Sequence, residues 1–175
     1  NRISRTRPIT FAKDVAELHP FLADTKELLT QMLEDGERVV IEGTQGYGLS
    51  VLHTPYYPYA TSRDTTAAGF LSEVGLSPID VDDVVMVIRA FPIRVPGNSG
   101  PLPQESTWEA VTRASGAFEQ LEELTSVTKS VRRVAMFDSE IVRQAIRANR
   151  PTRIALNHLD YFDRTVAPGL MPSKR

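Results

Sequence analysis

The side chains best suited to chemistry fall in four polar stretches. Gln45 lies within Gly43-Thr44-Gln45-Gly46-Tyr47-Gly48. A buried amide side chain donates and accepts hydrogen bonds at once, which fits recognition of an oxo-purine or another amide, and the surrounding glycines let a ligand approach the backbone closely. A tight turn accounts for those glycines equally well, because the stretch is neither GxxxxGK[ST] nor GxGxxG. Thr61, Ser62, Thr65 and Thr66 crowd hydroxyls around Arg63 and Asp64. Such a set binds phosphate at the start of a helix, or simply caps the helix. Thr128-Lys129-Ser130-Val131-Arg132-Arg133 places cations beside hydroxyls, suited to a carboxylate or phosphate and equally to a solvated surface. His158 stands two residues before Asp160, a pair able to meet a ligand or to satisfy each other.

These residues need elements to hold them. Apolar residues at Val15, Leu18, Phe21, Leu22, Leu28, Leu29 and Met32 predict a helix over Phe11 to Glu34, interrupted near Pro20 and stopped by Gly36. The β-branched run Arg38 to Glu42 predicts a strand buried on both faces, and a helix leading into such a strand predicts a parallel sheet. Gly43 to Thr66 has neither period 2 nor 3.6 and reads as a long functional loop. Asp64 or Thr65 is expected to cap a helix through Val74, ended by Gly75. Asp83 to Ala90 reads as a second buried strand, followed by the turn-rich RVPGNSGPLP of Arg94 to Pro103. Trp108 to Leu124 is predicted helical with a break near Gly116. Asp138 should cap a helix to Asn149, with Pro151 ending it and Arg153 to Asn157 forming a third strand. The expected fold class is α/β, with a mainly parallel sheet, flanking helices and long functional loops. A ligand then belongs at the carboxyl ends of the strands.

Composition bounds the rest. The 175 residues suit one domain, or a large piece of one, with a real core, and 41% hydrophobic residues argue against disordered and fibrous classes. Twenty basic against 22 acidic side chains, a net charge of −2, argue against a general nucleic-acid or membrane-surface binder. With no cysteine, disulfide scaffolds, thiolate zinc sites and cysteine nucleophiles are excluded; with three histidines, any metal needs oxygen ligands. Apolar runs such as Val84 to Ile88 are far short of the roughly 20 residues of a bilayer crossing. Arg2, Arg5 and Arg7 leave no apolar signal segment at the start, so a cytoplasmic location is expected, and a chain opening on Asn1 rather than Met is expected to continue upstream.

Five segments, in order, resemble the adenylosuccinate synthetase family: VVIEGTQG (Val39 to Gly46), HTPYYPYATSRDTTAAG (His53 to Gly69), RAFPIRVPGNSGPLPQE (Arg89 to Glu105), TSVTKSVRRVAMFD (Thr125 to Asp138) and ALNHLDYFD (Ala155 to Asp163). The wording STWE and NHLDYFD is similar to the short archaeal, viral and divergent bacterial branch. The resemblance implies a ligase that joins L-aspartate to the 6-position of IMP at the expense of GTP, with Mg²⁺. It implies that Gln45 holds the purine oxygen and the phosphorylated intermediate, as a catalytic and nucleotide-binding residue. Thr61 and the Val95 backbone would line the substrate nucleotide, Thr128 and Arg132 would receive aspartate, and Asp160 with His158 would take the guanine of GTP. The family's active sites draw residues from a two-fold related subunit, so a homodimer is expected, with no nucleic-acid or membrane partner.

The chain departs from the family in three places. The amino-terminal phosphate loop, Gly-Asp-Glu-Gly-Lys-Gly-Lys, is absent, and with it the Asp that acts as base and magnesium ligand and the His that acts as acid. Lys129-Ser130 stands where the family usually has Gly-Arg, and His158 replaces a Lys. Residues 1–175 are therefore expected to be a single-domain portion that does not catalyse the reaction alone, with no metal ligand singled out in it and the Mg²⁺ ligands expected mainly outside it. Two other readings follow: a viral-type relative that uses a guanine nucleotide as acceptor to make the 2-amino product, and a non-catalytic nucleotide-binding relative.

Overall fold

The computed structural model describes residues 9–165; Arg2, Arg5 and Arg7 lie outside them. The described residues form helices α1 (Thr25–Glu34), α2 (Ala67–Val74), α3 (Trp108–Ser115) and α4 (Ser139–Asn149), and strands β1 (Val85–Arg89), β2 (Ile93–Arg94), β3 (Glu105–Ser106), β4 (Arg133–Ala135) and β5 (Arg153–Asn157). The architecture is α/β. β1 and β5 run parallel, in register from Val85 opposite Arg153 to Arg89 opposite Asn157, and α4 packs on β1. β4 is the centre of a three-stranded antiparallel sheet between β2 and β3. That second sheet is too short in each strand to leave a readable alternation in the sequence.

Local capping chemistry sets the helix boundaries. Asp138 Oδ1 accepts from the amides of Glu140 (2.9 Å) and Ile141 (3.3 Å), which starts α4 as predicted. α2 begins later than expected: Thr66 is its cap, accepting from Gly69 N, while Asp64 accepts from Thr66 N at 2.9 Å and shapes the turn before it. Gly75, with φ 76°, closes α2 as predicted. α3 ends at Gly116, φ 71°, and no helix resumes toward Leu124. The first predicted helix is divided into two 3-10 turns, Ala12–Asp14 and Ala16–Phe21 with Pro20 inside the second, followed by α1 with Asp24 as its cap.

The strand predicted at Arg38 to Glu42 is absent, and Val40 is 88% exposed. A β-branched run becomes a strand only when another strand satisfies its amides and carbonyls, and none of the described residues pairs with this one. β1 and β5 form where predicted, yet neither is fully buried: Val87 and Ile154 are more than half exposed. A two-stranded pair has two open edges and little to cover its faces. The buried core lies elsewhere, where Phe91, Trp108, Val111 and Val134 pack together with Ala90, Ile93, Leu121 and Tyr161 against them, between α3 and the antiparallel sheet.

Candidate functional site

A cleft of about 420 Å³ opens between the turn after β2 and the loop before β4. Val95, Pro96, Thr125, Ser126, Val127, Thr128 and Arg132 line it. Three residues singled out in the sequence, Val95, Thr128 and Arg132, thus meet at one place. The loop is narrow and internally bonded. Leu124 and Val131 bridge at its base, and Thr125 N donates to Ser130 O at 2.9 Å. The Thr125 hydroxyl, in a buried residue, accepts from Ser130 N and lies 2.6 Å from the Thr128 hydroxyl. Lys129 turns the chain with φ 52°, a left-handed conformation that costs a side chain something and that glycine takes freely.

The two adjacent arginines have different partners. Arg133 is spent on structure: its Nε and Nη2 donate to the two carboxylate oxygens of Glu105 at 2.7 and 2.6 Å, and its Nη1 donates to Ser99 Oγ and Gly100 O. The hydrogen bonds from Arg133 hold the Glu105 carboxyl below its usual range. Arg132 is anchored through its backbone, receiving from Trp108 Nε1 at 2.7 Å and donating to Glu123 O at 2.8 Å, while its Nε reaches Leu124 O at 3.3 Å. Among the described residues its Nη groups meet no acceptor and no acid. A planar guanidinium with an unclaimed edge, on a residue that lines a cleft, is suited to a carboxylate or phosphate ligand.

Thr61 lies on a neighbouring segment. Its amide donates to Leu49 O at 2.8 Å, and Ser50 bridges to Ser62, so the two arms of the loop after Gln45 are tied together. His53 Nδ1 accepts from Gly48 N at 3.0 Å and its ring sits 4.3 Å from Tyr47. That segment is fastened to the cleft wall: Arg94 Nη2 donates to Tyr59 O at 3.1 Å, and Gly100 approaches Tyr59 so closely that a Cβ there would fall 2.6 Å from the Tyr59 side chain. Burial, and then the neighbouring Arg133, lower the Arg94 pKa from its ordinary value.

Gln45 corrects one expectation. It takes φ 65° in an exposed bend, not a buried position at the end of a strand, because the strand before it is not formed. Gly43, two residues before it, is a packing requirement: a Cβ there would lie 1.9 Å from the Phe70 ring of α2.

His158 and Asp160 follow β5. His158 turns the chain with φ 61° into a single 3-10 turn, Leu159–Tyr161, and its ring lies 4.9 Å from that of Tyr161. Both residues are half-buried. Tyr161 packs edge-on against Trp108, centroids 6.0 Å apart at 84°, and against Phe91. Burial, and then the Glu123 carboxylate, push its hydroxyl up to about 12. Glu123 itself pairs with Arg89 at the end of β1. Sequence reasoning gave no role to Trp108, Glu105, Glu123 or Tyr161, because their partners lie far along the chain. The usable signal was that Trp108 is the only tryptophan, placed directly after a capping threonine.

Among the described residues no group of three or more His, Asp or Glu side chains could hold a metal ion. No described helix is long and apolar enough to cross a membrane.

Comparison with known proteins finds relatives that match most of this chain. The chain is 44% identical to the adenylosuccinate synthetase of Thermococcus onnurineus over 153 residues, 87% of this chain and 43% of that protein. It is also 44% identical to that of Methanocaldococcus jannaschii, over 87% of this chain and 42% of the other. The chain therefore spans less than half the length of these relatives. Among solved structures, fully ligated adenylosuccinate synthetase from Plasmodium falciparum matches with a TM-score of 0.71 at 26% identity, over 83% of this chain and 33% of that one. Cyanophage S-2L succinoaminodeoxyadenylate synthetase, bound to dGMP and with dATP as energy donor, matches with a TM-score of 0.67 at 30% identity, over 95% and 51%. The family profile for adenylosuccinate synthetase matches residues 7–167, and with the ordered segments and the cleft they build, this chain belongs to the adenylosuccinate synthetase family.

Proposed function

We propose that the protein carrying this chain ligates L-aspartate to the 6-position of IMP using GTP, and that this chain contributes the aspartate-binding cleft and the base-recognition turn. In that reaction the γ-phosphoryl group of GTP passes to the purine 6-oxygen, and the aspartate amine then displaces the phosphate. A ring oxygen leaves poorly until phosphorylated, so the nucleotide must be held still through both steps. Mg²⁺, when bound, would supply charge neutralisation on the phosphoryl group being transferred, and no residue of this chain is assigned to hold it.

Each candidate site residue has a binding task. Arg132 pairs with an aspartate carboxylate and Thr128 donates to it. Val95, through its backbone, and Thr61 line the nucleotide. Gln45 donates to and accepts from the purine edge once the loop closes on it. Asp160 accepts from the two hydrogens that guanine, unlike adenine, presents together, with His158 beside the base. We further place the protein in the cytoplasm as a homodimer. The observation that carries this reading is the cleft that Val95, Thr128 and Arg132 line together, with no acid paired to Arg132 among the described residues.

A second reading has support of its own. The cyanophage relative covers nearly the whole chain and was solved with dGMP and dATP, which favours a guanine-nucleotide acceptor. Phosphate release measured with each acceptor and donor separates the two. Release that requires aspartate, IMP and GTP together supports the first; release with dGMP and dATP but not IMP supports the second. No aspartate-dependent release with any pair contradicts both.

A further inference from the structure

We propose that Trp108 is a positioning residue for two subsites at once, fixing the Arg132 cleft through its indole N–H and the His158–Asp160 turn through its ring. The inference rests on the functional reading above and adds to it a residue that touches neither substrate. Trp108 is 5% exposed, at the first position of α3, where the Thr107 cap fixes the backbone. Its Nε1 donates to the Arg132 carbonyl at 2.7 Å, the short end of the N–H···O range. That bond acts on a residue that lines the cleft. The same ring meets the Tyr161 ring edge-on at 6.0 Å, and Tyr161 in turn lies 4.9 Å from the His158 ring. α3 and the Leu159–Tyr161 turn accordingly pack directly on one another.

The two tasks use different parts of one side chain. The N–H is a polar contact that no other aromatic residue supplies in that place; the ring face and edge are shape that phenylalanine largely keeps. Arg132 has a second backbone anchor at Glu123 O, so loss of the indole bond loosens the guanidinium without freeing the loop. Tyr161 is also held by Phe91, so the turn shifts only when the Trp108 ring itself is removed.

Steady-state kinetics on Trp108→Phe and Trp108→Leu in the protein carrying this chain test the proposal, with thermal unfolding measured in parallel. Trp108→Phe should raise the Michaelis constant for aspartate about three- to tenfold, the worth of one hydrogen bond, and leave that for the triphosphate unchanged. Trp108→Leu should raise both. A core residue with no positioning role would lower thermal stability while leaving both Michaelis constants at wild-type values in either variant, and that result overturns the proposal. Equal rises in both constants for Trp108→Phe also overturn it. If the wild-type protein shows no saturable dependence on aspartate, the functional reading fails and takes the inference with it.

Discussion

Glu105 and Arg133 are diagonal neighbours across the antiparallel sheet, joined by two parallel hydrogen bonds of 2.7 and 2.6 Å. Glu105 stands opposite Ala135, so Arg133, two residues earlier on β4, shares its face. Arg133 also stands directly opposite Arg94, and the carboxylate offsets that meeting of like charges. Glu105→Gln should lower unfolding stability by up to about 1 kcal/mol, because solvent screens a pair this exposed. Urea titration would check it, and a stability equal to wild type would show the pair to be neutral.

Two glycines are set by what lies against them. Ala at Gly100 meets the Tyr59 side chain at 2.6 Å with φ already at 103°, and Ala at Gly43 meets the Phe70 ring. Each substitution should destabilise by about 1–3 kcal/mol, through overpacking and, at Gly100, strained backbone. Gly46→Ala, with open space around it, is the control. Thermal unfolding in which all three variants match wild type would contradict these contacts.

What the sequence made legible is local. Asp138, Gly75 and Gly116 mark helix ends because a cap needs only neighbours within one turn, and each does so. The run at Arg38 to Glu42 misled because a strand is a relation between segments, and composition alone does not supply the partner. The loop at Thr128 to Arg133 was visible as a basic stretch, but which of its arginines pairs internally depends on Glu105, 28 residues from Arg133, and on the β4 register. Trp108 carries the same lesson, since the carbonyl it holds is 24 residues distant.

Tyr161 predicts an alkaline limit. Its hydroxyl titrates near 12 in the folded chain against 10.0 ordinarily, so the folded state keeps a proton that the unfolded state loses. The associated stability is complete below pH 10 and disappears as pH rises toward 12. Tyr56 shifts the same way, through burial, so the contrast must be made by variant. Between those pH values Tyr161→Phe should lose less stability than wild type. Parallel curves for the two proteins would remove Tyr161 from the account.

Asp160 and His158 should set the choice of triphosphate. Asp160→Asn trades an acceptor oxygen for a donor amide and should reduce the preference for GTP over ATP by about tenfold or more. Competition between the two triphosphates in one assay reads this directly. A wild-type protein that prefers ATP, unchanged in the variant, would place the base elsewhere.

The central claim is that Arg132, and not Arg133, receives the aspartate carboxylate. The most direct measurement is the Michaelis constant for aspartate in Arg132→Lys and Arg133→Lys, each with its unfolding midpoint. Lysine keeps the charge but not the two-pronged geometry, so Arg132→Lys should raise the aspartate constant by about tenfold or more with little change in stability or in the purine nucleotide constant. Arg133→Lys should lower the unfolding midpoint and leave the aspartate constant near wild type. Equal aspartate constants in the two variants, or a larger rise at Arg133, would contradict the account.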